Sequence, residues 1–588
     1  MKITKIWLAL AVVALAFFAA CHKDGPLVPI GSTNWPGQTV KASFVGQVLD
    51  EAGQPIEDAV VRVASKTVMS DKNGIFIIRD QSVNSARAII TAFKTGYFDS
   101  YRTLFVQKNS ENRVTFRLLE KKNTGSFTAS VGGKVTVPGG AEIDFPAASI
   151  TLNGQVYSGK VNVAAHFIDP RSAYIYESMP GDLRGIRADG SEEALSTFGM
   201  LGVEMTDGSG QKLEVASGQK VTISAEISAD LVANAPQTVP LWHFSETEGI
   251  WVEEGSATKV GTKYVGEVSH FSWWNYDATA PAIKISGTVV DQNGNPLNVQ
   301  VWACPATQSL GWGCGHGQTD SSGMFCGLAS KDVVLNISVV SYASTNFCDM
   351  TIKSFTVGPF SADSDLGTIV VNLNAPGATV QTTNISGHVL DCAGQPVVNG
   401  YVKLQGGQFV TTDATGHFSS SFNYCSNAAP ANISVQAVDW TNGKESQLLS
   451  LPTAPTVDFG DITACDDIDE YIRYDFDGAG LVTLLPGIDS LFIPNNSSLY
   501  GYDPSSQKSI GLGWNHNNVP ANDLPLLYFY AEGKEAKGGV PSFNLKTNMT
   551  SYPTTVGQYL LGTFGGTFDD FNGVNHTVTG SYRVKRNW

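Results

Sequence analysis

The chain has few charged residues, and the charges it has are mostly negative. Asp, Glu, Lys and Arg make up 16% of its 588 residues, and 38 basic side chains against 54 acidic ones give a formal charge of −16. This balance excludes nucleic acid as a partner, because phosphates require basic patches. Convincing runs of helical period are also missing beyond the first 21 residues, which argues against helical domains.

Turn and strand residues are abundant instead. The chain has 60 glycines and 10% aromatic residues, and short stretches of Val, Ile, Thr, Phe and Tyr recur between Gly, Asn, Asp and Pro. A chain of this length exceeds what a single hydrophobic core can serve, which predicts about four to six domains. We therefore predict an all-β protein built from tandem β-sandwich domains.

The longest apolar run lies at the N-terminus. Lys2 and Lys5 precede 14 apolar residues, 7–20, which are too few to span a bilayer comfortably and are typical of an export signal. The run ends at Cys21 after two alanines, and this segment resembles the lipobox of bacterial lipoproteins, with Phe18 where Leu is commonest. The alternative is an ordinary signal peptide cleaved nearby, which would leave Cys21 as a free thiol.

The lipobox resemblance implies that residues 1–20 are removed and that Cys21 is acylated. Two acyl chains anchor a protein stably, since each buried CH₂ contributes about 0.8 kcal/mol. Residues 21–42 contain three prolines among Gly and Ser and predict a semi-extended tether. Asp24 is the one acidic residue directly after the cysteine, so an outward-facing and a periplasmic orientation both stay open.

A motif of ten residues, G-x-V-x-D-x-x-G-x-P, begins at Gly46, Gly287 and Gly387. It predicts a tight turn between two strands, because Gly adopts positive φ and Pro fixes the exit. A second motif, D-x-x-G-x-F, follows each copy and predicts another hairpin with an aromatic side chain on the core face. Both motifs together predict three small β-sandwiches.

These paired motifs resemble the carboxypeptidase regulatory-like family, whose modules are transthyretin-like sandwiches of seven strands. In Bacteroidetes-type lipoproteins such modules are common spacers, and they carry no catalytic residues. The resemblance implies modules of this kind at residues 43–119, 284–374 and 384–465. We interpret the turn aspartates as acceptors for their own backbone amides rather than as calcium ligands; they are Asp50, Asp291 and Asp391.

Two further β domains complete the chain. Residues 124–280 resemble the extracellular β domains of cartilage intermediate layer proteins and, more distantly, the autoproteolytic β domains of netrin receptors and death-domain adaptors. Residues 466–588 are rich in Tyr, Phe and Trp, and an Asn-Gly turn at Gly573 predicts a hairpin. This last segment resembles C-terminal domains of Bacteroidetes lipoproteins. Its aromatic residues could stack on sugars, but their alternation favours a core.

Seven cysteines follow Cys21, and an oxidising compartment predicts disulfides within 304–348 and within 392–465. An odd number leaves at least one cysteine unpaired or bonded elsewhere. An up-and-down strand count places two of them, Cys392 and Cys465, at the same pole of the third sandwich. A zinc site that includes His316 is the alternative, although no C-x₂-C pair is present. The candidates are Cys304, Cys314, Cys326, Cys348, Cys392, Cys425 and Cys465.

Three other patterns resemble functional sites. His243-x-x-Glu246 has the spacing of a metallocarboxypeptidase, but the catalytic domain of that family is missing. Five aspartates could bind Ca²⁺, but they do not follow the twelve-position loop and favour a solvated connector; they are Asp466, Asp467, Asp469, Asp475 and Asp477. His270-Phe271-Ser272 matches the tripeptide that the autoproteolytic relatives cleave between Phe and Ser. There Ser272 would attack the preceding carbonyl with His270 as base, although a plain strand end is the default interpretation.

These observations predict a lipid-anchored protein of the bacterial outer membrane or cell surface with a binding or structural display role. No enzyme activity and no cofactor are indicated. The expected partners are the membrane, through Cys21, and a glycan or surface protein, through the C-terminal domain farthest along the chain from the anchor. The alternative function is a surface protein that processes itself at Phe271-Ser272.

Replacing Cys21 tests the anchor. Cys21→Ser should move the protein from the membrane fraction to the soluble fraction, because only the acyl chains supply anchoring energy. Membrane fractionation after a high-salt wash measures this, and metabolic labelling with a fatty-acid analogue should mark the wild type alone. A variant that still pellets with membranes would refute the lipoprotein hypothesis.

Overall fold

The computed structural model describes residues 37–586 except 308–312, 342–350, 374–379, 406–407, 468–469, 480, 485–488, 494, 504–507, 538–542, 555–557 and 571. The described chain is almost entirely β, as the sequence predicts. It folds into five β units with separate hydrophobic cores. Within these residues, no helix has the length and apolar character needed to span a membrane.

The first unit is a sandwich of seven strands, the number that the sequence resemblance implies. The strands are β1 (Thr39–Leu49), β2 (Val60–Val63), β3 (Lys66–Met69), β4 (Ile75–Asn84), β5 (Ala88–Phe93), β6 (Ser100–Leu104) and β7 (Glu111–Arg117). They form two sheets, in the orders β4-β1-β7 and β3-β2-β5-β6. Phe76, the aromatic of the second motif, is fully buried in the core between them. Because β1 begins at Thr39, the strand takes in the end of the expected tether.

The middle domain follows as one large curved sheet around its own core. Its strands are β8 (Asn123–Thr128), β9 (Gly133–Val137), β10 (Ala141–Phe145), β11 (Ile150–Leu152), β12 (Gln155–Val156), β13 (Lys160–Ile168), β14 (Arg184–Ile186), β15 (Glu192–Thr206), β16 (Lys212–Val215), β17 (Val221–Glu226), β18 (Thr238–Ser245), β19 (Ile250–Val260), β20 (Lys263–Val268) and β21 (Trp273–Ala280). A short helix, α1 (Ile175–Ser178), and a 3-10 turn (Val232–Asn234) interrupt them. Strand β18 lies between β21 and β19, so these three strands are adjacent in the sheet.

The second and third sandwiches repeat the plan of the first within their described residues. The second contains β22 (Ala282–Asp291), β23 (Val299–Pro305), β24 (Gly315–Gln318), β25 (Met324–Ser330), β26 (Leu335–Ser341), β27 (Thr351–Val357) and β28 (Ser364–Val371). The third contains β29 (Val380–Leu390), β30 (Gly400–Leu404), β31 (Phe409–Thr411), β32 (His417–Cys425), β33 (Asn432–Asp439), β34 (Lys444–Glu445), β35 (Leu449–Pro452), β36 (Thr456–Thr463) and β37 (Asp466–Asp467). In all three sandwiches the first strand pairs in parallel with the strand that closes the module. A simple up-and-down order is therefore wrong.

The turn motif has the local structure that its residues predict. Gly294 has a φ of +88°, in the region that favours glycine. The Asp291 Oδ1 atom accepts the backbone N–H groups of Asn293 and Asn295, both at 2.8 Å. Asp50 and Asp391 accept amides of their own turns in the same way. These aspartates stabilise the turns, as the sequence interpretation proposes.

The last unit is a sheet of ten strands within the described residues. They are β38 (Tyr471–Phe476), β39 (Leu481–Leu484), β40 (Asp489–Ile493), β41 (Asn496–Asp503), β42 (Lys508–Asn515), β43 (Ala521–Ala531), β44 (Lys534–Lys537), β45 (Asn544–Ser551), β46 (Tyr559–Asp569) and β47 (Asn575–Lys585). The Asn-Gly turn joins β46 to β47, as expected. The boundary expected at residue 466 is displaced, because β37 pairs with β34 of the third sandwich and not with this sheet.

The middle domain and the third sandwich pack against the first sandwich through apolar surface. Phe98, Tyr101 and Leu119 of that sandwich join one buried cluster with Trp242 and Trp251 of the middle domain. On another side, Val45, Ile75 and Ile77 form a cluster with Tyr401 and Val438 of the third sandwich. Apolar burial of this kind is the main favourable term in domain association. The chain is therefore a compact arrangement and not a row of spaced modules.

Charged groups join the first sandwich to the C-terminal domain. Asp58 is 4% exposed, and its carboxylate accepts hydrogen bonds from the Tyr471 hydroxyl and, at 2.6 Å, from the Ser581 Oγ atom. Glu57 pairs with Arg473 and, at 3.3 Å, with Arg583. The C-terminal domain, although farthest along the chain from Cys21, therefore lies against the first module after the tether.

Removing the Asp58 carboxylate should release the C-terminal domain. Asp58→Ala leaves the Tyr471 and Ser581 hydroxyls without their acceptor in a buried contact, which costs on the order of 2–5 kcal/mol of docking free energy. We expect the radius of gyration from small-angle X-ray scattering to rise. Asp461→Ala, at a side chain that is 71% exposed, is the matched control and should change nothing. An unchanged radius for Asp58→Ala would contradict the docking role.

Candidate functional site

Two disulfides join cysteines of the same module. Cys304 is bonded to Cys314, and Cys392 is bonded to Cys465, the pair expected from the sequence. The second bond forms because β29 and β36 run parallel, so the residues just beyond their ends lie side by side. Cys425 is also disulfide-bonded. Cys21 and Cys348 lie outside the described residues.

Some of the residues considered as zinc ligands have other partners in this arrangement. Cys304 and Cys314 are bonded to each other, and the ring of His316 stacks on that of Tyr176 with 4.4 Å between centroids. Cys326 is the free cysteine among the described residues. Burial raises the pKa of its thiol to about 11, so it stays protonated at neutral pH and is a poor nucleophile.

The residues of the metallocarboxypeptidase spacing and of the aspartate cluster do not form a shared site in the fold. The Tyr101 hydroxyl of the first sandwich donates a hydrogen bond to Glu246. Asp466 and Asp467 lie in β37 of the third sandwich, whereas Asp477 accepts the Thr577 amide at 2.8 Å in the C-terminal domain. Asp469 lies outside the described residues. The described aspartates are thus used separately, in different units.

The tripeptide of the self-cleavage hypothesis has ordinary geometry. The Ser272 Oγ atom donates to the carbonyl of Trp273 at 3.2 Å, and Phe271 packs on Phe145 with 5.7 Å between ring centroids. None of the three residues of the tripeptide has a positive φ, so the backbone there is free of left-handed strain. The segment is a strand end at the edge of the core.

His270 contacts a carboxylate instead of Ser272. Its Nε2 atom lies 3.2 Å from the Oε2 atom of Glu254, and the Ser269 Oγ atom donates to Oε1 at 2.8 Å. The hydrogen bond with His270 lowers the pKa of Glu254 to about 2, so this carboxylate is ionised at neutral pH. The imidazole is therefore oriented away from the role of base.

The C-terminal sheet presents tyrosines to solvent, although the sequence interpretation favoured core positions for the aromatic residues of this domain. Tyr500 is 44%, Tyr528 is 40% and Tyr502 is 37% exposed. Strand pairing places Tyr500 opposite Gly511 and Gly511 opposite Tyr530 across three adjacent strands. We call Tyr500, Tyr502, Tyr528 and Tyr530 with Gly511 and Gly513 the tyrosine face. Its opposite side is the buried core of the domain.

Gly511 and Gly513 lie buried beneath these rings. A Cβ atom at Gly511 would lie 3.5 Å from Tyr500, 3.8 Å from Tyr528 and 3.9 Å from Tyr530, so the three side chains surround the bare backbone. At Gly513 the Tyr528 ring leans directly over the strand, 2.3 Å from where a Cβ would be. The result is a shallow apolar strip with phenol groups, which suits a flat ligand with hydroxyl groups.

A cavity of about 480 Å³ lies where the first sandwich, the middle domain and the second sandwich meet. Its lining includes the buried guanidinium groups of Arg102 and Arg113, and burial lowers the pKa of Arg102 to about 9. Glu177 interacts electrostatically with Arg102, and Glu111 and Asp320 interact with Arg113. Since both charges are present, the lining does not select one class of ligand.

Comparison with protein-family models finds no match for this chain. It is 30% identical over 131 residues to human cartilage intermediate layer protein 2, which covers 22% of this chain and 10% of that protein. It is 32% identical over 119 residues to cartilage intermediate layer protein 1 of Sus scrofa, covering 19% of each. The chain thus spans at most about a fifth of the length of the curated relatives it matches.

Among solved structures, a streptococcal ancillary pilin is 10% identical with a TM-score of 0.13, covering 40% of this chain and 95% of the pilin. The major pilin subunit BcpA of Bacillus cereus is 9% identical with a TM-score of 0.11, covering 72% of this chain and 99% of the pilin. The function of this chain has to be inferred from its own residues.

We expect the chain to stay intact at Phe271-Ser272. Ser272 donates its hydroxyl to a backbone carbonyl and His270 pairs with Glu254, so neither group is positioned for attack. Intact-mass spectrometry of the purified protein should show one species with residues 21–588, and Ser272→Ala should give the same pattern. A fragment that begins at Ser272 in the wild type alone would establish self-processing.

Proposed function

We propose that this protein is a lipid-anchored envelope protein that binds an extracellular glycan on the tyrosine face of its C-terminal domain. The anchor is proposed from the lipobox at Cys21. The observation that carries the binding role is the exposure of three tyrosines around Gly511 on one face of the sheet. Exposed aromatic residues grouped in this way mark interaction sites, whereas single ones are common on any surface.

A sugar fits the chemistry of this face. Each tyrosine offers an apolar ring for stacking and a hydroxyl for hydrogen bonding. Glu535 lies opposite Tyr530 on the neighbouring strand β44 and adds an acceptor for sugar hydroxyls. The strip is rigid because it belongs to a sheet whose other side is packed, so little conformational entropy is lost on binding.

The rest of the chain gives this face its support. The C-terminal domain is held by the buried Asp58 contact, and the first sandwich in turn packs on the middle domain and the third sandwich. A protein assembled in this way presents the tyrosine face on a stiff body rather than on a flexible stalk. Its role is therefore structural display together with binding.

Introducing a side chain at Gly511 tests the proposal. Gly511 has no positive φ, and a Cβ there would make only ordinary contacts, so Gly511→Thr should fold normally while its side chain occupies the space between the rings. On a glycan array, the wild-type protein should bind an oligosaccharide class, and Gly511→Thr should lose that binding. Tyr528→Ala should weaken it about tenfold, as expected for an aromatic contact of about 1–1.5 kcal/mol.

Val574→Thr is the matched control, because Val574 is 50% exposed in the β46–β47 turn and lies outside the tyrosine face. It should bind like the wild type. Binding that survives both Gly511→Thr and Tyr528→Ala, or no binding to any glycan on the array, would contradict the proposal.

A further inference from the structure

Three metal-ligating side chains converge on the middle domain: His243, Glu254 and His270. Their ligand atoms all lie within 4.8 Å of one another. The Glu254 Oε2 atom is 3.2 Å from His270 Nε2 and 3.8 Å from His243 Nε2. The two imidazole rings lie edge to face with 4.9 Å between their centroids. Two imidazoles and one carboxylate form a donor set that zinc-type ions favour.

Strand order explains why these residues meet. His243 lies on β18, which is flanked by β19 and β21, and it is directly opposite Val252 and Trp274. Glu254 is two residues beyond Val252, so it faces the same side of the sheet. His270 lies in the turn that leads into β21. All three side chains therefore gather on one side of three adjacent strands.

The surroundings hold the cluster in place. Trp274 is fully buried, and its Nε1 atom donates to the carbonyl of His270 at 3.1 Å, which fixes the turn. The Trp274 ring lies 5.0 Å from that of His270 and 5.8 Å from that of His243. Ser269 holds the second carboxylate oxygen of Glu254. Hydrogen-bonded support of this kind orients metal ligands in known sites.

The cluster is also accessible. The side chains of His243, Glu254 and His270 are 21%, 42% and 40% exposed, so an ion can enter from solvent. Ligand atoms around a tetrahedral zinc ion are about 3.3 Å apart, given bonds of about 2.0–2.1 Å. One of the two measured separations from Glu254 matches this value, and the other needs a shift of about 0.5 Å that a partly exposed side chain permits.

We propose that His243 Nε2, His270 Nε2 and Glu254 Oε2 bind one divalent transition-metal ion of the zinc class. Three protein ligands leave the fourth position open to water or to a donor from a partner. The ion would tie β18 and β19 to the turn before β21, at a place independent of the tyrosine face.

Zinc binding to the full mature protein tests this proposal. After treatment with a chelator, titration with Zn²⁺ alone in a calorimeter should give one equivalent per chain. His243→Gln, His270→Gln and Glu254→Gln should each weaken binding at least about tenfold. Substitution with Co²⁺ should produce the visible absorption of a tetrahedral site, and Zn²⁺ should raise the melting temperature of the wild type but not of His270→Gln.

His388→Gln is the matched control. His388 lies beside His417 with 5.1 Å between ring centroids and 3.8 Å from an Asp461 oxygen, so it has similar ingredients in the third sandwich. Its substitution should leave zinc affinity within twofold of the wild type. Equal loss in His388→Gln and His270→Gln, or the failure of the wild type to bind one equivalent, would overturn the proposal. Circular dichroism verifies that each variant is folded.

Discussion

Burial of the first sandwich is the constraint on which the arrangement of the whole chain depends. That small module contributes Phe98 and Tyr101 to a shared cluster with the middle domain and Ile75 and Ile77 to another with the third sandwich. Each of these residues would otherwise expose apolar surface to water. Its neighbours are therefore held together by the one unit that they all cover.

Charges decide how the units are oriented once apolar burial has brought them together. The buried Asp58 carboxylate accepts hydrogen bonds from Tyr471 and Ser581 of the C-terminal domain. Asn73 similarly donates to the Tyr401 hydroxyl of the third sandwich at 2.9 Å. A buried charge without its partner is strongly unfavourable, so misaligned docking is penalised. Buried pairs of this kind contribute orientation more than net stability.

This compact arrangement changes the functional interpretation. The C-terminal domain is last in the sequence but lies against the first sandwich, so the binding role that we propose for it rests on the exposed tyrosine face and not on distance along the chain. The role considered for His270 also changes, because this residue belongs to a cluster with Glu254 and His243. The histidine that suggested a catalytic base is one of the three ligands that we propose for a metal ion.

The sequence alone determined the class of fold and the repeated modules, because these depend on local chemistry. The turn motif at Asp291 and Gly294 encodes its own hydrogen bonds and backbone conformation, and Phe76 lies on the core face that alternation predicts. Tertiary structure alone decided the sites. His243, Glu254 and His270 have no motif spacing and meet only through the pairing of three strands, and Tyr500 and Tyr530 flank Gly511 only in the observed register. Alternating aromatics show that a strand has two faces but not which of them is buried, because that depends on what packs against the sheet.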